Sequence, residues 1–257
     1  MPSMAYQDLM SLKAHWGRPL IMGHRGAMGH APENTMASFK LAHEMKVDAI
    51  ELDVHLSRDG CLVVHHDEAL ERTTNGRGEL ADLTLEQLKQ LDAGSHFSQD
   101  FSGEQIPTLE EVLAWARPLN LPVVIEFKRN PNAPAIVKAA TDLIDRLDAG
   151  AHVAFISFDH FVPAGLKQIR PQWCTGVLYA ARPIDPVHLA TSAGADGLLP
   201  NFYFVDKEMV AAAHQANKWV GCWAPNSERE LGYTLMQGVD MIGTNFPDRL
   251  HALINRS

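Results

Sequence analysis

Several features are missing from the chain, and each absence closes off a class of function. Nowhere do 18 consecutive apolar residues occur, and the opening stretch Met1–Arg18 is mixed and polar, without an apolar centre. No transmembrane span or secretory leader is therefore expected, and the chain reads as cytoplasmic. The three cysteines, Cys61, Cys174 and Cys222, are scattered and form no C-x-x-C pair. That spacing points to buried, reduced thiols rather than a disulfide framework. Basic residues are in deficit: 22 Lys and Arg face 31 Asp and Glu, a formal charge of −9. Such a balance leaves no broad positive face for nucleic acid or anionic lipid. Nor does any G-x-G-x-x-G occur, the loop that an open, dinucleotide-binding sheet would need after its first strand.

What the chain does hold is a steady alternation. Pro19–Gly23 is a short apolar run that predicts a first buried strand, and from Asn34 to Lys46 apolar residues recur at helical spacing, with Asn34 or Thr35 as cap. Val47–Val54 and Cys61–His65 are strand-like and flank the turn Ser57–Gly60. Beyond residue 107, strand-like and helical segments pair off. Pro122–Phe127 precedes Ala133–Leu147, His152–Ser157 precedes His160–Arg170, and Trp173–Tyr179 precedes Asp185–Ala193. Ala195–Pro200 then precedes Asp206–Ala216, Trp219–Trp223 precedes Ser227–Gln237, and Val239–Thr244 precedes Pro247–Asn255. With the hairpin treated as an appendage of the second strand, eight strands remain, the repeat of an α/β chain closed into a (β/α)8 TIM barrel. A 257-residue chain with 46% apolar content fits one such domain over residues 1–257. Residues 67–107 break the rhythm. A structureless loop of about forty residues is uncommon, so they predict a small subdomain inserted after strand two. Thr108–Glu111 is a capping box leading back into a helix over Leu109–Ala116. The extension Met1–Arg18 reads as a surface helix or a barrel plug.

Residues able to do chemistry fall at strand ends, where barrels carry their active groups. His24 and Arg25 follow strand one. Glu51 and Asp53 are placed at the end of strand two and, being two apart, on one side; Glu126 ends the third barrel strand, with Lys128 on its side by the same parity. Three carboxylates converging on one mouth repel unless a cation sits between them, and an all-oxygen donor set favours Mg²⁺ or Ca²⁺ over zinc. His24 and His66 are the natural acid–base pair, because imidazole titrates near neutrality. Arg25 can fork onto two phosphate oxygens, Lys128 can add a point charge, and Trp223 can wall off a small polyol. His55, on the Asp53 face by parity, and His65 are weaker candidates. Each residue alone has a plainer reading: a salt-bridged acid or lysine, a structural histidine, a tryptophan packed at the rim. Together they favour a metal-assisted site for a phosphate ester.

The sequence resembles the glycerophosphodiester phosphodiesterases of the bacterial cytosolic type, within the phosphatidylinositol-phospholipase-C-like barrel superfamily. The likeness rests on His24-Arg25-Gly26, Pro32-Glu33-Asn34-Thr35, Glu51-Leu52-Asp53-Val54, Val63-Val64-His65-His66-Asp67, Arg72-Thr73-Thr74, Ile106–Glu111, Ile125-Glu126-Phe127-Lys128 and Thr244–Asp248. The resemblance implies a barrel with a small inserted subdomain, and a divalent metal on Glu51, Asp53 and Glu126. It also implies His24 and His66 as the acid–base pair; its motif sets the histidine directly before the aspartate, which selects His66 over His65. The implied reaction cleaves a small glycerophosphodiester to glycerol 3-phosphate and an alcohol such as choline or ethanolamine. Which histidine is acid and which is base, and whether water or a substrate hydroxyl attacks, stay open at this level, as does the oligomeric state. Three other readings compete. A zinc amidohydrolase-like barrel would show His-x-His ending strand one, and a non-catalytic barrel would bind a phosphorylated metabolite without turning it over. A lysophospholipase D would want an exposed apolar lip, of which the acidic sequence gives no sign.

Overall fold

Strands buried on both faces need apolar residues at nearly every position, and these runs have them. The computed structural model describes residues 17–128 and 133–256, so most of the Met1–Arg18 reading lies outside the described residues. In chain order the main elements begin with β1 (Leu20–Gly23), α1 (Met36–Glu44), β2 (Ala49–Leu56), β3 (Leu62–Val64), α2 (Leu85–Leu88) and α3 (Leu109–Ala116). There follow β4 (Val123–Phe127), α4 (Ala133–Arg146), β5 (Val153–Ser157), α5 (Phe161–Ile169), β6 (Cys174–Tyr179) and α6 (Pro186–Ser192). The chain closes with β7 (Gly197–Pro200), α7 (Lys207–Gln215), β8 (Trp219–Cys222), α8 (Glu228–Gln237), β9 (Met241–Thr244) and α9 (Pro247–Ile254).

The sheet runs β1-β9-β8-β7-β6-β5-β4-β2-β3, and β1 also pairs with β2, so eight parallel strands close into the expected (β/α)8 barrel. The two junctions of β1 differ: four residue pairs register it on β9, only two on β2. β3 runs antiparallel to β2 and stands outside the ring. Here the structure corrects one expectation. Glu51 and Asp53 do not end β2, which continues to Leu56 because its hairpin partner β3 supplies hydrogen bonds beyond the barrel rim. What puts the two acids at the mouth is register: Asp53 lies opposite Glu126 of β4.

Alternation sorts the side chains. Ile50, Leu52 and Val54 of β2, with Val123, Ile125 and Phe127 of β4, point outward into the core beneath the helices. Ala49 and Val124 point inward, with Met22, Ile156, Leu178, Leu199 and Trp219, and pack the barrel interior. The inward positions next toward the mouth are Glu51, Asp53 and Glu126. Gly197 sits opposite Trp219 in the register, and a Cβ there would lie 2.1 Å from the indole, so the ring fills space that only glycine leaves. Residues 67–107, between β3 and α3, carry a small core of their own built on Leu70, Leu80, Leu88, Ala93 and Ile106. Thr84 and Thr108 form capping boxes at the starts of α2 and α3, and Thr35, not Asn34, caps α1. No helix among the described residues is long and apolar enough to cross a membrane.

Candidate active site

The turn after β1 is built around Gly26, whose φ of 82° and close packing admit no side chain: a Cβ would lie 2.4 Å from Ser38 Oγ. That hydroxyl donates to the Arg25 carbonyl at 2.9 Å. Arg25 itself has φ 52°, a left-handed conformation costly for a residue with a Cβ. Its amide is held there by Glu51 Oε2 at 2.9 Å, so the metal-site candidate and the turn fix one another. From this turn the guanidinium reaches Glu33 Oε1 at 2.8 Å and Asp53 Oδ2 at 3.3 Å.

Glu51, Asp53 and Glu126 are all buried, and each offers an oxygen within 4.8 Å of the others. Burial and the negative charge of its two neighbours push Glu51 well above the ordinary carboxylate range. Desolvation, and then the charge of Asp53, push Glu126 up to about 7. Asp53 behaves differently. Burial acts to raise it, but the positive charges of Lys128 and Arg25 outweigh burial and hold it down to about 2. Asn34 adds a paired contact, its Nδ2 donating to Asp53 Oδ2 at 2.8 Å and its Oδ1 accepting from the Asp53 amide at 3.3 Å. Lys128 Nζ lies 2.6 Å from Glu126 and 3.3 Å from Asp53 Oδ1, an atom that accepts no hydrogen bond. A buried carboxylate oxygen left that way, inside a triangle of acids, fits a hard cation. Glu51, Asp53 and Glu126 are the residues that could hold one.

Two imidazoles face this cluster across a cavity of about 160 Å³. His24 Nδ1 lies 2.7 Å from Asn245 Oδ1; that oxygen only accepts, so Nδ1 carries the proton and Nε2 keeps its lone pair. Burial, and then the charge of Arg25, lowers His24 to about 4 and leaves it neutral at pH 7. His66 Nδ1 lies 2.5 Å from Asp67 Oδ1 and donates to that carboxylate. Burial lowers the His66 pKa as well, while Asp67 and Asp53 work in the opposite sense. His65 is turned away, held between the Asp67 carbonyl and the Thr73 hydroxyl. His55 does not join the carboxylates; its Nε2 donates to the His66 carbonyl at 3.0 Å and steadies that backbone. Trp223 lines the cavity, its Nε1 tied to the Leu199 carbonyl at 3.0 Å and its indole edge-on to Phe158.

The structure thus brings His24, Arg25, Glu51, His66, Glu126, Lys128 and Trp223 to one cavity, with Asp53 bridging the acids and the cations. Sequence reasoning did not assign the groups that hold them: Asn245 behind His24, Asp67 behind His66, Asn34 on Asp53, and the apolar wall of Met22, Ile156, Phe158, Leu178 and Leu199. It also missed Arg72, which pairs with Asp67 through Nε and with both oxygens of Glu33 at 2.8 Å. One guanidinium from the inserted subdomain therefore braces the partner of His66 and the partner of Arg25. Adjacency to His66 was a usable signal for Asp67. Asn245 lies within the Thr244–Asp248 motif, but nothing in the linear sequence ties it to the ring it orients, 221 residues away.

This bracing has a pH signature. Burial acts to raise Glu33, but Arg72 and Arg25 outweigh it and lower the carboxyl from 4.5 to about 2. A carboxyl whose folded pKa is depressed stabilises the fold above its unfolded pKa and stops doing so as pH falls through the folded value. The stability difference between the wild-type protein and Glu33→Gln in urea unfolding should be constant above about pH 5.5 and shrink steadily below about pH 4.5. A difference unchanged down to about pH 3 would remove Glu33 from the brace.

An acidic cradle set against two imidazoles suits the opening of a phosphate ester, and on an eight-stranded parallel barrel it defines a phosphatidylinositol-phospholipase-C-like protein. Comparison with known proteins narrows the class. The model of the glycerophosphoryl diester phosphodiesterase family matches residues 24–249, and the chain belongs to that family. It is 36% identical over 240 residues to a glycerophosphodiester phosphodiesterase of Caldanaerobacter subterraneus, covering 93% of this chain and 99% of the relative. Among solved structures it is similar to an Oleispira antarctica phosphodiesterase in complex with the product sn-glycerol-3-phosphate, with TM-score 0.86, 30% identity and coverage of 94% and 99%. A glycerophosphodiester phosphodiesterase of Agrobacterium tumefaciens matches with TM-score 0.79 and 29% identity, covering 91% of this chain and 99% of that one.

Proposed function

We propose that the protein hydrolyses glycerophosphodiesters, such as glycerophosphocholine and glycerophosphoethanolamine, to sn-glycerol 3-phosphate and the free alcohol. Glu51, Asp53 and Glu126 hold a hard divalent cation, Mg²⁺ or Ca²⁺, for this work. The observation that carries the reading is the triangle of buried carboxylates directly across the cavity from two imidazoles whose Nδ1 atoms are already committed. When bound, the cation supplies Lewis-acid charge to the phosphate oxygens. The all-oxygen donor set favours such an ion over zinc, and no imidazole joins it.

The remaining roles follow from the side chains. Arg25 and Lys128 offset the negative charge that grows on the phosphoryl group, in a pocket where burial strengthens every such contact. His24, neutral and with Nε2 free, accepts the proton of the attacking hydroxyl; the Asn245 carbonyl keeps its tautomer fixed. His66 delivers a proton to the departing alkoxide, because the Asp67 carboxylate at Nδ1 stabilises its imidazolium form as the Asn245 amide cannot. Trp223 and Phe158 close the apolar side against the glycerol carbons.

The direct test is release of glycerol 3-phosphate from glycerophosphocholine by the purified protein. Turnover should disappear after dialysis against a chelator and return with Mg²⁺ or Ca²⁺. Turnover unaffected by the chelator would remove the cation from the reading; no hydrolysis under any condition would overturn the activity.

A further inference from the structure

Arg72 does not line the cavity, yet all three of its guanidinium nitrogens are spent on carboxylates behind it. Nε donates to Asp67 Oδ2, while Nη1 and Nη2 donate to Glu33 Oε2 and Oε1 at 2.8 Å each. The turn that delivers this side chain is itself anchored. Leu70 is buried in the subdomain's own core, and its carbonyl accepts from the Thr74 amide at 3.1 Å. Buried His65 donates from Nδ1 to the Asp67 carbonyl at 2.8 Å, so its Nε2 accepts from the Thr73 hydroxyl at 2.9 Å. Two rungs thus join residues 65–67 to residues 72–73: His65 to Thr73, and Asp67 to Arg72. The doubled histidine gains a reason, with His65 as the spacer and His66 as the working ring. The far end of the guanidinium is equally fixed. Glu33 also holds Arg25, and Glu104 of the subdomain accepts from the Ala37 amide at 3.3 Å, at the start of α1.

We infer that Arg72 is a positioning residue for His66: it locks the Asp67 carboxylate so that Oδ1 meets the imidazole at Nδ1. Through it the inserted subdomain takes part in the reaction without touching the substrate. The inference rests on the phosphodiesterase reading and extends it to a side chain outside the cavity. The Asp67 side chain is 29% exposed, and a carboxylate so placed, with one partner, has several staggered rotamers open to it. With one oxygen on His66 and the other on Arg72, a single orientation is left. A ring held at Nδ1 presents its Nε2 at one place, and moving a catalytic group by about 1 Å costs about 10²-fold in rate. Arg25 depends on Arg72 far less. Besides Glu33 it has Asp53 at 3.3 Å, and its amide is tied to Glu51. Removing Arg72 therefore falls on the proton step at His66 and largely spares the binding of phosphate by Arg25.

The test compares wild type, Arg72→Ala and His66→Ala on two esters. One is glycerophosphocholine; the other is a glycerophosphodiester of p-nitrophenol, a leaving group acidic enough to depart without a proton. Arg72→Ala should lower kcat for glycerophosphocholine by about 10- to 10²-fold and keep KM within about threefold of wild type. Its kcat for the nitrophenyl ester should stay within about threefold, the split that His66→Ala shows on a larger scale. Arg72→Gln, which keeps much of the side-chain stem, carries the same measurement if circular dichroism shows the alanine variant unfolded; loss of the fold in both makes Arg72 structural and overturns the inference. An equal fall on both esters, a rise in KM alone, or unchanged turnover of glycerophosphocholine also overturns it and leaves the phosphodiesterase reading intact. A His66→Ala variant impaired equally on both esters overturns the acid role of His66 and the inference with it. Wild-type hydrolysis of neither ester overturns the phosphodiesterase reading and the inference together.

Discussion

Replacing His66 with alanine should lower kcat for glycerophosphocholine by about 10²- to 10⁴-fold, the range for loss of a positioned acid or base, with the fold retained. The same substitution at His24 should cost about as much. Neither imidazole props up the core: His66 is partly exposed, and the polar contact of each ring runs to a single side chain, Asp67 or Asn245. Circular dichroism and thermal midpoint should therefore stay close to wild type while turnover collapses. Turnover near normal in either variant would take that histidine out of the chemistry. The two should differ with a substrate whose leaving alcohol is already acidic. Such a leaving group needs no proton, so it should rescue His66→Ala and leave His24→Ala inactive; rescue of His24→Ala instead would reverse the assignment.

The second large effect is expected at Asp53, which is 1% exposed and faces two cations at once. Breaking a buried ion pair by removing one partner costs about 3–5 kcal/mol when the other charge is stranded. In Asp53→Asn neither cation is fully stranded, since Arg25 keeps Glu33 and Lys128 keeps Glu126, both under 3 Å away. Loss of the central negative charge also eases repulsion on Glu51 and Glu126. A stability loss of about 1–3 kcal/mol should result, measured by urea unfolding in chelator, together with loss of turnover and at least about tenfold weaker binding of Mg²⁺ or Ca²⁺ by calorimetry. Unchanged cation affinity would exclude Asp53 as a ligand.

Much of this could be read from the linear sequence, for physical reasons that also mark its limit. Strands of a closed parallel barrel are buried on both faces, so runs such as Val123–Phe127 are apolar enough to find, and a period of two then puts Glu126 inward with Val124. The capping box at Thr108 is local chemistry, legible in four residues. What failed was whatever depends on a neighbour far along the chain. The extent of β2 is set by β3, the tautomer of His24 by Asn245, and the brace on Glu33 by Arg72. Exposure within a helix was not legible either: the periodicity places a helix over His160–Arg170, and only the packing of α5 shows that Phe161, at its start, is left in water.

The unequal junctions of β1 carry one more consequence. With two registered pairs against four, β1 is held to β2 by less backbone than to β9. Side chains stitch it instead: Arg18 to Asp48 at its foot, the Arg25 amide to Glu51 at its top, and Asn34 to Asp53 just beyond. The groups that would handle the phosphate are thus the rivets of the thinner of β1's two joints. Wear at this joint would be felt as lost chemistry before it was felt as lost fold, and drift in the sequence of the two strands is constrained by both at once.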